Sequence, residues 1–174
     1  MRLDLIHISL PDQQLTGYRD GAVMCSYPVS TAVNGPGELS NSGCTPRGRH
    51  RVRARIGAGQ PLGAVFIGRR PTGEVWSPQL AASHPDRDWI LTRILWLCGE
   101  QPGFNRGSNH DSQRRYIYLH GTGDDQPLGI PLSHGCIRLR SSDMLALFDV
   151  TPVGCRVVIA EQAEAGSSPN TIRE

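Results

Sequence analysis

Two histidines and a cysteine lie close together in one glycine-containing stretch of the chain. His120, His134 and Cys136 fall within seventeen positions, and each is next to a glycine. A cysteine thiol becomes a nucleophile near neutral pH when a base or a cationic neighbour favours its thiolate. An imidazole can be that base, because its own pKa lies nearby. Backbone N–H groups in a tight turn such as "SHGC" can bind the oxyanion that forms when a carbonyl is attacked. The stretch therefore contains every group that an acyl-transfer site needs.

Other interpretations of these residues are open on chemistry alone. They could be unrelated core and turn residues. They could also be three zinc ligands, with His110 as the fourth, although the spacing is not that of common zinc motifs and no Glu lies near the histidines. A papain-like protease would need a histidine after the cysteine, and none follows Cys136. A glycan-binding module without activity would have no use for both Cys136 and His120.

The elements that would position these residues are mostly short strands. Gly (20 residues) and Pro (13 residues) are frequent, which favours many short elements joined by turns. Strand patterns occur in "LDLIHISL", "QLTGY", "AVMCSYPVS", "RHRVRARI", "GAVFIG", "GEVWSPQ", "DWILTRILWL", "RYIYLH" and "GCRVVIA". "RRPTG" reads as a turn, and "SSDMLALF" as a short helix with Ser141 or Ser142 as its N-cap. We expect a mainly β domain of two packed or partly closed sheets, with His120 at the end of a strand.

Composition limits the class of protein. The chain has 174 residues and a formal net charge of +2. This size fits one domain, which we place at residues 1–160, followed by a polar, disordered tail at 161–174. The small charge does not indicate a nucleic-acid partner. No stretch is long enough to span a membrane. All eighteen basic residues are Arg, so no lysine can be the nucleophile. Five scattered cysteines without a CxxC pair argue against a disulfide framework.

The motif "SHGCIR", preceded by "HGT", resembles the signature of the L,D-transpeptidase catalytic domain, also called the YkuD-like domain. His120 is followed by a gap of twelve residues and then by Ser133-His134-Gly135-Cys136-Ile137-Arg138. "YPVST" followed by "CTPRG" is similar to the family's strand, loop and Thr-Pro-x-Gly element. The resemblance covers roughly residues 3 to 160. It implies a mainly β fold, a sandwich or partly closed barrel with one or two short helices.

The resemblance also implies roles for the residues of the motif. Cys136 would be the nucleophile and His120 its base, with the backbone carbonyl of Gly121 orienting the imidazole. The oxyanion would be bound by backbone N–H groups of the turn. Those N–H groups belong to His134, Gly135 and Cys136, while Ser133 would have a structural role in the turn. No cofactor and no metal are expected.

Arginines could bind the anionic groups of a substrate. Arg138 occupies the Asn/Arg position of the signature and would either bind a carboxylate or brace the turn. Arg106 and Arg115, on the polar loop before "YIYLH", are further candidates. Alternate residues from Arg49 to Arg55 would form an arginine face on one strand, either solvated or near an acidic substrate.

The implied reaction is cleavage of the bond between the L-centre of a diaminopimelate-type residue and the terminal D-Ala of a peptidoglycan tetrapeptide stem, through a thioester. Water as acceptor makes the enzyme an L,D-carboxypeptidase, and an amine makes it a transpeptidase that cross-links stems or anchors proteins. The N-terminus does not resemble a secretory signal. We therefore expect a cytoplasmic L,D-carboxypeptidase acting on soluble tetrapeptides or muropeptides in murein recycling, and acylation of Cys136 by carbapenems. The alternative is a periplasmic transpeptidase whose export signal is missing from the sequence.

Overall fold

Ten strands form one curled sheet, and two short helices pack beside it, in the computed structural model, which describes residues 1–162. The strands are β1 (Leu5–Ser9), β2 (Gln14–Arg19), β3 (Ala22–Pro28), β4 (Gly48–Ile56), β5 (Ala64–Ile67), β6 (Arg70–Val75), β7 (Ile90–Gly99), β8 (Tyr118–Thr122), β9 (Ile137–Arg140) and β10 (Arg156–Ala160). The helices are α1 (Pro78–Ser83) and α2 (Ser141–Val150). The predicted fold class is confirmed: the sheet curls into a half-barrel with two helices.

Strand β7 is the point at which the sheet branches. One path runs β3-β2-β1-β10-β4-β7-β5-β6, while β8 pairs with β7 and β9 pairs with β8. Most neighbours are antiparallel, but β1 runs parallel to β10 and β8 runs parallel to β9. Most residues of β7 are buried, which explains its nearly continuous apolar sequence. The segment "DWILTRILWL" is a strand from Ile90 onward, as predicted.

Side-chain alternation along β8 and β9 separates the core from the candidate site. Leu119 and Ile137 are fully buried in the main core, and α2 covers that core with three buried apolar residues. Tyr118 and His120 point to the opposite face, because successive side chains of a strand alternate. Tyr118 joins a second, smaller apolar cluster, and Cys136 packs against it.

The region between β5 and β7 differs from the sequence prediction. The predicted turn "RRPTG" is mostly strand β6, and the turn itself is formed by Gly68 and Arg69, which have φ values of +54° and +65°. Two consecutive residues with positive φ are typical of a tight hairpin. The predicted strand "GEVWSPQ" ends at Val75, because Ser77 caps helix α1 by accepting a hydrogen bond from Leu80 N–H at 3.0 Å.

The predicted N-cap of α2 is wrong. Arg140 occupies the N-cap position and makes no side-chain capping bond. The Ser141 hydroxyl is used elsewhere: it lies 2.7 Å from Thr92 Oγ1 and 3.3 Å from the Thr122 carbonyl oxygen. A tertiary contact to β7 and β8 thus takes the hydroxyl that would otherwise cap the helix.

Most of the expected C-terminal tail, from residue 163 onward, lies outside the described residues. Within residues 1–162, no helix has the length and apolar character that crossing a membrane would require.

Candidate active site

The turn that precedes β9 is held in shape by its own serine. Ser133 Oγ donates to the Cys136 carbonyl at 2.5 Å and accepts from Gly135 N–H at 3.2 Å. Gly135 has a φ of +135°, a conformation that glycine adopts most readily. One of the three N–H groups expected to bind an oxyanion, that of Gly135, is therefore donated to Ser133.

Thr45 fixes the same turn from outside. Its side chain is fully buried. Thr45 Oγ1 donates to the Gly135 carbonyl at 2.9 Å and accepts from Ala32 N–H at 3.0 Å. The sequence showed Thr45 only as part of "CTPRG". In the fold, its hydroxyl joins the loop before β4 to the turn that contains the cysteine.

The Cys136 thiol lies between two backbone groups. Tyr118 N–H donates to Sγ at 3.4 Å, and Sγ donates to the Tyr116 carbonyl at 3.4 Å. Although the residue is partly exposed, burial of the sulfur among protein atoms raises the pKa of the Cys136 thiol to about 11, and the Tyr118 N–H opposes this rise. The thiol is therefore protonated at neutral pH, and attack requires a base that removes its proton.

His120 is buried in the middle of β8 and not, as the sequence predicted, at a strand end, because β8 continues through Gly121 and Thr122. The next residue fixes its ring. Nδ1 lies 2.7 Å from the Gly121 carbonyl oxygen. Because a carbonyl can only accept, Nδ1 carries the hydrogen and Nε2 has a free lone pair. Burial lowers the pKa of His120, which favours the neutral ring. A Cβ at Gly121 would lie 2.8 Å from the Leu91 carbonyl oxygen, so only glycine fits there without a shift.

Parallel pairing of β8 and β9 brings the histidine and the cysteine together on one face of the sheet. His120 is in register with Arg138, and Leu119 with Ile137. Cys136 precedes Arg138 by two residues, so its side chain points to the same face as that of His120. Two residues that are separated in sequence by a loop are thus placed by neighbouring strands, His120 within β8 and Cys136 immediately before β9.

Arg138 is buried and held by two partners. Its Nη2 donates to Asp88 Oδ1 at 2.9 Å, and its Nη1 donates to the Leu132 carbonyl at 3.3 Å. His134 Nδ1 lies 3.6 Å from Asp88 Oδ2, and the His134 side chain is 73% exposed. Asp88 was not identified from the sequence, because it lies far from the motif in "HPDRDW" and nothing local marks it.

Cavities lie on both sides of the turn. The first, called here the Arg138 cavity, has a volume of about 560 Å³, and its lining includes Asp88, Trp89, His134 and Arg138. The second, called here the Cys136 cavity, has a volume of about 500 Å³, and its lining includes Arg115, Tyr116, His134 and Cys136. His134 borders both, so the exposed imidazole stands between two spaces that could each hold part of a substrate.

Arg115 and Arg106 have different positions. Arg115 lines the Cys136 cavity, but its guanidinium donates to the carbonyls of Cys44 at 2.6 Å and Gly37 at 3.1 Å. Within the described residues, Arg106 borders neither cavity at the turn; it lines a separate one with Arg53 and Asp111. The structure therefore places Arg115 at the cavity that contains Cys136 and does not place Arg106 there.

The arginine face of β4 is present, and two of its four arginines are held by protein partners. Arg49, Arg51, Arg53 and Arg55 are exposed, whereas His50 and Val52 are buried, as the alternation predicted. Arg51 pairs with Glu100, and Arg55 Nη2 donates to the Phe148 carbonyl at 2.8 Å. None of the four lines either cavity at the turn, as far as residues 1–162 show.

Tyr116 is a further neighbour of the sulfur that the sequence did not reveal. Its φ is +56°, in the left-handed region that residues other than glycine seldom adopt. The pattern "RYIYLH" predicted a strand from Arg115, but with this conformation at Tyr116 the strand β8 begins only at Tyr118. The Tyr116 carbonyl accepts a hydrogen bond from the thiol. The sequence has no signal for a positive φ at a tyrosine.

His110, the expected fourth ligand in the zinc interpretation, lies in a short 3-10 turn at Ser108–His110. It lines neither cavity at the turn within the described part of the chain. Among residues 1–162, no group of three or more His, Cys, Asp or Glu is arranged to hold a metal ion.

Comparison with known proteins decides the family. A model of the L,D-transpeptidase catalytic domain, YkuD, matches residues 4–159. The chain belongs to the L,D-transpeptidase catalytic-domain family. Probable L,D-transpeptidase YbiS of Escherichia coli K12 is 42% identical over 121 residues, which are 68% of this chain and 39% of that protein. The chain thus spans about two fifths of the length of this L,D-transpeptidase relative.

Solved structures of L,D-transpeptidases have the same fold. Residues 123–326 of the enzyme from Xylanimonas cellulosilytica superpose with a TM-score of 0.57 at 19% identity, covering 91% of this chain and 61% of that one. The L,D-transpeptidase LdtMt1 in complex with imipenem gives a TM-score of 0.52 at 18% identity, covering 90% and 58%. At these identities the superpositions establish the fold of this L,D-transpeptidase family member and no more.

Proposed function

We propose that the protein cleaves the bond between the L-centre of a diaminopimelate-type residue and the terminal D-Ala of a peptidoglycan tetrapeptide stem. The observation that carries this proposal is the pair formed by Cys136 and His120. The thiol stands in the glycine turn, and the imidazole on the neighbouring strand has its Nδ1 bound to Gly121, which leaves Nε2 free. Membership of the L,D-transpeptidase family supplies the substrate class.

The proposed reaction begins with proton transfer. The thiol turns from the Tyr116 carbonyl towards His120, and Nε2 takes its proton. The thiolate attacks the carbonyl carbon of the diaminopimelate residue and an oxyanion forms. The imidazolium then gives its proton to the D-Ala nitrogen, the C–N bond breaks, and a thioester to Cys136 remains. Gly121 orients the imidazole and stabilises the imidazolium, the role that a carboxylate has in other triads.

The turn supplies the donors for the oxyanion. Because the Gly135 N–H is donated to Ser133, we assign the oxyanion to the N–H groups of His134 and Cys136. Gly135 and Ser133 shape the turn that aims these donors.

We propose hydrolysis as the favoured outcome. If the stem lies in the Arg138 cavity, the acceptor reaches the thioester from the Cys136 cavity. Among the described residues, the lining of the Cys136 cavity contains Arg114 and Arg115 but no carboxylate. Cationic walls disfavour an acceptor that arrives as an ammonium group, and they leave water as the acceptor. Water attacks the thioester with His120 as base, and the tripeptide leaves. The alternative outcome is attack by an amine, which makes a cross-link.

We also propose that the enzyme works in the cytoplasm, on soluble tetrapeptides or muropeptides from cell-wall recycling. A cytoplasmic substrate is not polymerised, so water is the abundant acceptor there. A reporter fusion that is active in the periplasm would contradict this compartment.

The test is incubation with a diaminopimelate tetrapeptide, followed by mass spectrometry. We expect free D-Ala and tripeptide in equal amounts. Cys136→Ala should abolish turnover, and His120→Ala should lower it by on the order of a hundredfold or more. Cys98→Ala, at a cysteine of β7, is the matched control. Activity of Cys136→Ala would overturn the assignment of Cys136 as the nucleophile. Dimeric stems as the main product would show that the enzyme is a transpeptidase and not a hydrolase.

Carbapenems are proposed to acylate the same thiol, since an L,D-transpeptidase of this fold is known in complex with imipenem. Intact-mass measurement after incubation with imipenem should show one adduct on the wild type and none on Cys136→Ala. An adduct on both proteins would place the acylation elsewhere.

A further inference from the structure

Arg69 is held rigidly by three aromatic residues beside the cysteine. Its guanidinium carbon lies 4.8 Å from the centroid of the Trp96 ring and 4.8 Å from that of the Tyr116 ring. Its Nη1 donates to Tyr118 Oη at 3.1 Å. A guanidinium that packs against two rings and donates to a third side chain loses little freedom when it binds a ligand, because its orientation is already fixed.

The backbone at Arg69 is in an unfavourable conformation. Its φ of +65° places a long side chain at a hairpin position where glycine or asparagine is preferred. Such conformations persist when the surrounding structure imposes them, and they are concentrated at functional sites. Here the conformation directs the Arg69 side chain from a surface hairpin onto an aromatic cluster formed by Trp96, Tyr116 and Tyr118.

The guanidinium retains donors for a ligand. Among residues 1–162, Arg69 has no carboxylate partner, whereas Arg87 pairs with Glu74 and Arg138 with Asp88. One hydrogen bond to a tyrosine hydroxyl leaves most of its N–H groups unused. Carboxylates and phosphates are the groups that such a planar fork binds best.

The cluster is linked directly to the nucleophile. The Tyr116 carbonyl and the Tyr118 N–H both contact the Cys136 sulfur. The Tyr116 ring and the Tyr118 hydroxyl contact Arg69. Arg69 therefore lies about one tyrosine side chain away from the sulfur. The side chain of a diaminopimelate residue has a similar length, and it ends in a carboxylate and an amine.

We propose that Arg69 binds the side-chain carboxylate of the diamino acid whose carbonyl is attacked by Cys136. This inference rests on the proposed function and adds to it a specificity residue outside the signature. The enzyme would then distinguish a stem with a free carboxylate at that position from one with a carboxamide, since a guanidinium gains a charge-assisted pair only with the former.

The test compares two tetrapeptides that differ only in this group, the acid and the carboxamide. Their dissociation constants are measured by calorimetry on Cys136→Ala, which cannot turn them over. We expect the acid to bind on the order of tenfold more tightly. Arg69→Met added to this variant should remove the preference, and Arg70→Met, at the exposed next residue of the same hairpin, should keep it.

Melting temperatures separate binding from a structural role. A lower melting temperature of Arg69→Met with the acid preference retained would show that Arg69 only attaches the hairpin to the sheet, and would overturn the inference. Equal binding of the acid and the carboxamide peptide to Cys136→Ala with Arg69 intact would overturn the inference as well. Release of D-Ala by the wild type is measured in parallel: turnover without an acid preference refutes the inference alone, and no turnover refutes the proposed function together with it.

Discussion

Asp88 Oδ1 accepts a hydrogen bond from Arg138 Nη2 at 2.9 Å, which joins the segment before β7 to strand β9. The side chain of Arg138 is 9% exposed, whereas that of Asp88 is 46% exposed. The guanidinium thus depends on its partner more than the carboxylate does, because water can solvate the carboxylate.

We predict that Arg138→Lys lowers the melting temperature. An ammonium group cannot reach both Asp88 and the Leu132 carbonyl with the geometry of a guanidinium, and a loss of about 1–3 kcal/mol in the free energy of unfolding is expected for a buried group left unpaired. Calorimetry measures the stability, and steady-state kinetics on a tetrapeptide measures KM. Arg140→Lys, on the same strand but exposed, is the control. A raised KM with unchanged stability would show that Arg138 binds substrate and does not brace the turn.

We predict that the hydroxyl of Thr45 is needed for the shape of the cysteine turn. Thr45→Val keeps the volume but leaves the Gly135 carbonyl and the Ala32 N–H without their buried partner, which should cost about 1–3 kcal/mol. Thr45→Ser keeps the hydroxyl and should cost less. Urea unfolding of both variants, with D-Ala release as a second readout, checks this. Equal stability of the Val variant and the wild type would mean that the turn holds without this bridge.

Stability should fall as the pH decreases from about 6.5 to about 4. Burial lowers the pKa of His50 from an ordinary value near 6.5 to about 4, and it lowers that of His120 in the same direction. Between these values the unfolded chain binds more protons than the native protein, so the free energy of unfolding rises with pH. His50 alone corresponds to roughly 3 kcal/mol across this window.

Urea unfolding at pH 7 and at pH 4.5 measures this slope. Carboxylates titrate in the same range, so the difference between wild type and His50→Asn isolates the imidazole. The variant should show a shallower pH dependence. Parallel curves for the two proteins would contradict the lowered pKa of His50.

The rate at which Cys136 is alkylated in the free enzyme should keep rising at high pH, because the thiolate forms only there. Its pKa of about 11, raised by burial, predicts an iodoacetamide rate that continues to rise above pH 9, where glutathione, an ordinary thiol, is already levelling off. Peptide mapping by mass spectrometry gives the rate at this residue alone. A plateau below pH 8 would instead reveal a thiolate paired with a protonated His120 before substrate arrives.

The sequence was sufficient to place the residues of the motif. Strand periodicity and the "SHGC" turn are local signals, and they put His120 on a strand and Cys136 in a glycine turn, as observed. The predicted strand end at His120 is wrong, because β8 continues to Thr122. The fold class followed from the same short strands. Parallel pairing of β8 with β9, which brings the two residues to one face, is a tertiary contact and came only with the structure.

The rest of the site depends on contacts between distant parts of the chain. Asp88 meets Arg138 across 50 residues, and Thr45 meets Gly135 across 90. The conformations of Arg69 and Tyr116 oppose local preference, so no propensity could indicate them. Arg106 and Arg115 look equivalent in sequence, but only Arg115 folds against the loop before β4.

Strand β1 pairs in parallel with β10, Leu5 with Arg156 through to Ser9 with Ala160. β1 can pair with β2 early, but a ribosome has to release almost the whole of this domain before β1 finds its second neighbour, β10, which separates β1 from β4. Pairings at such sequence separation form slowly. The nascent chain must spend its synthesis with β1 and β4 lacking their shared neighbour. Assembly of the complete sheet, with the cysteine on its completed scaffold, therefore has to wait for the synthesis of β10.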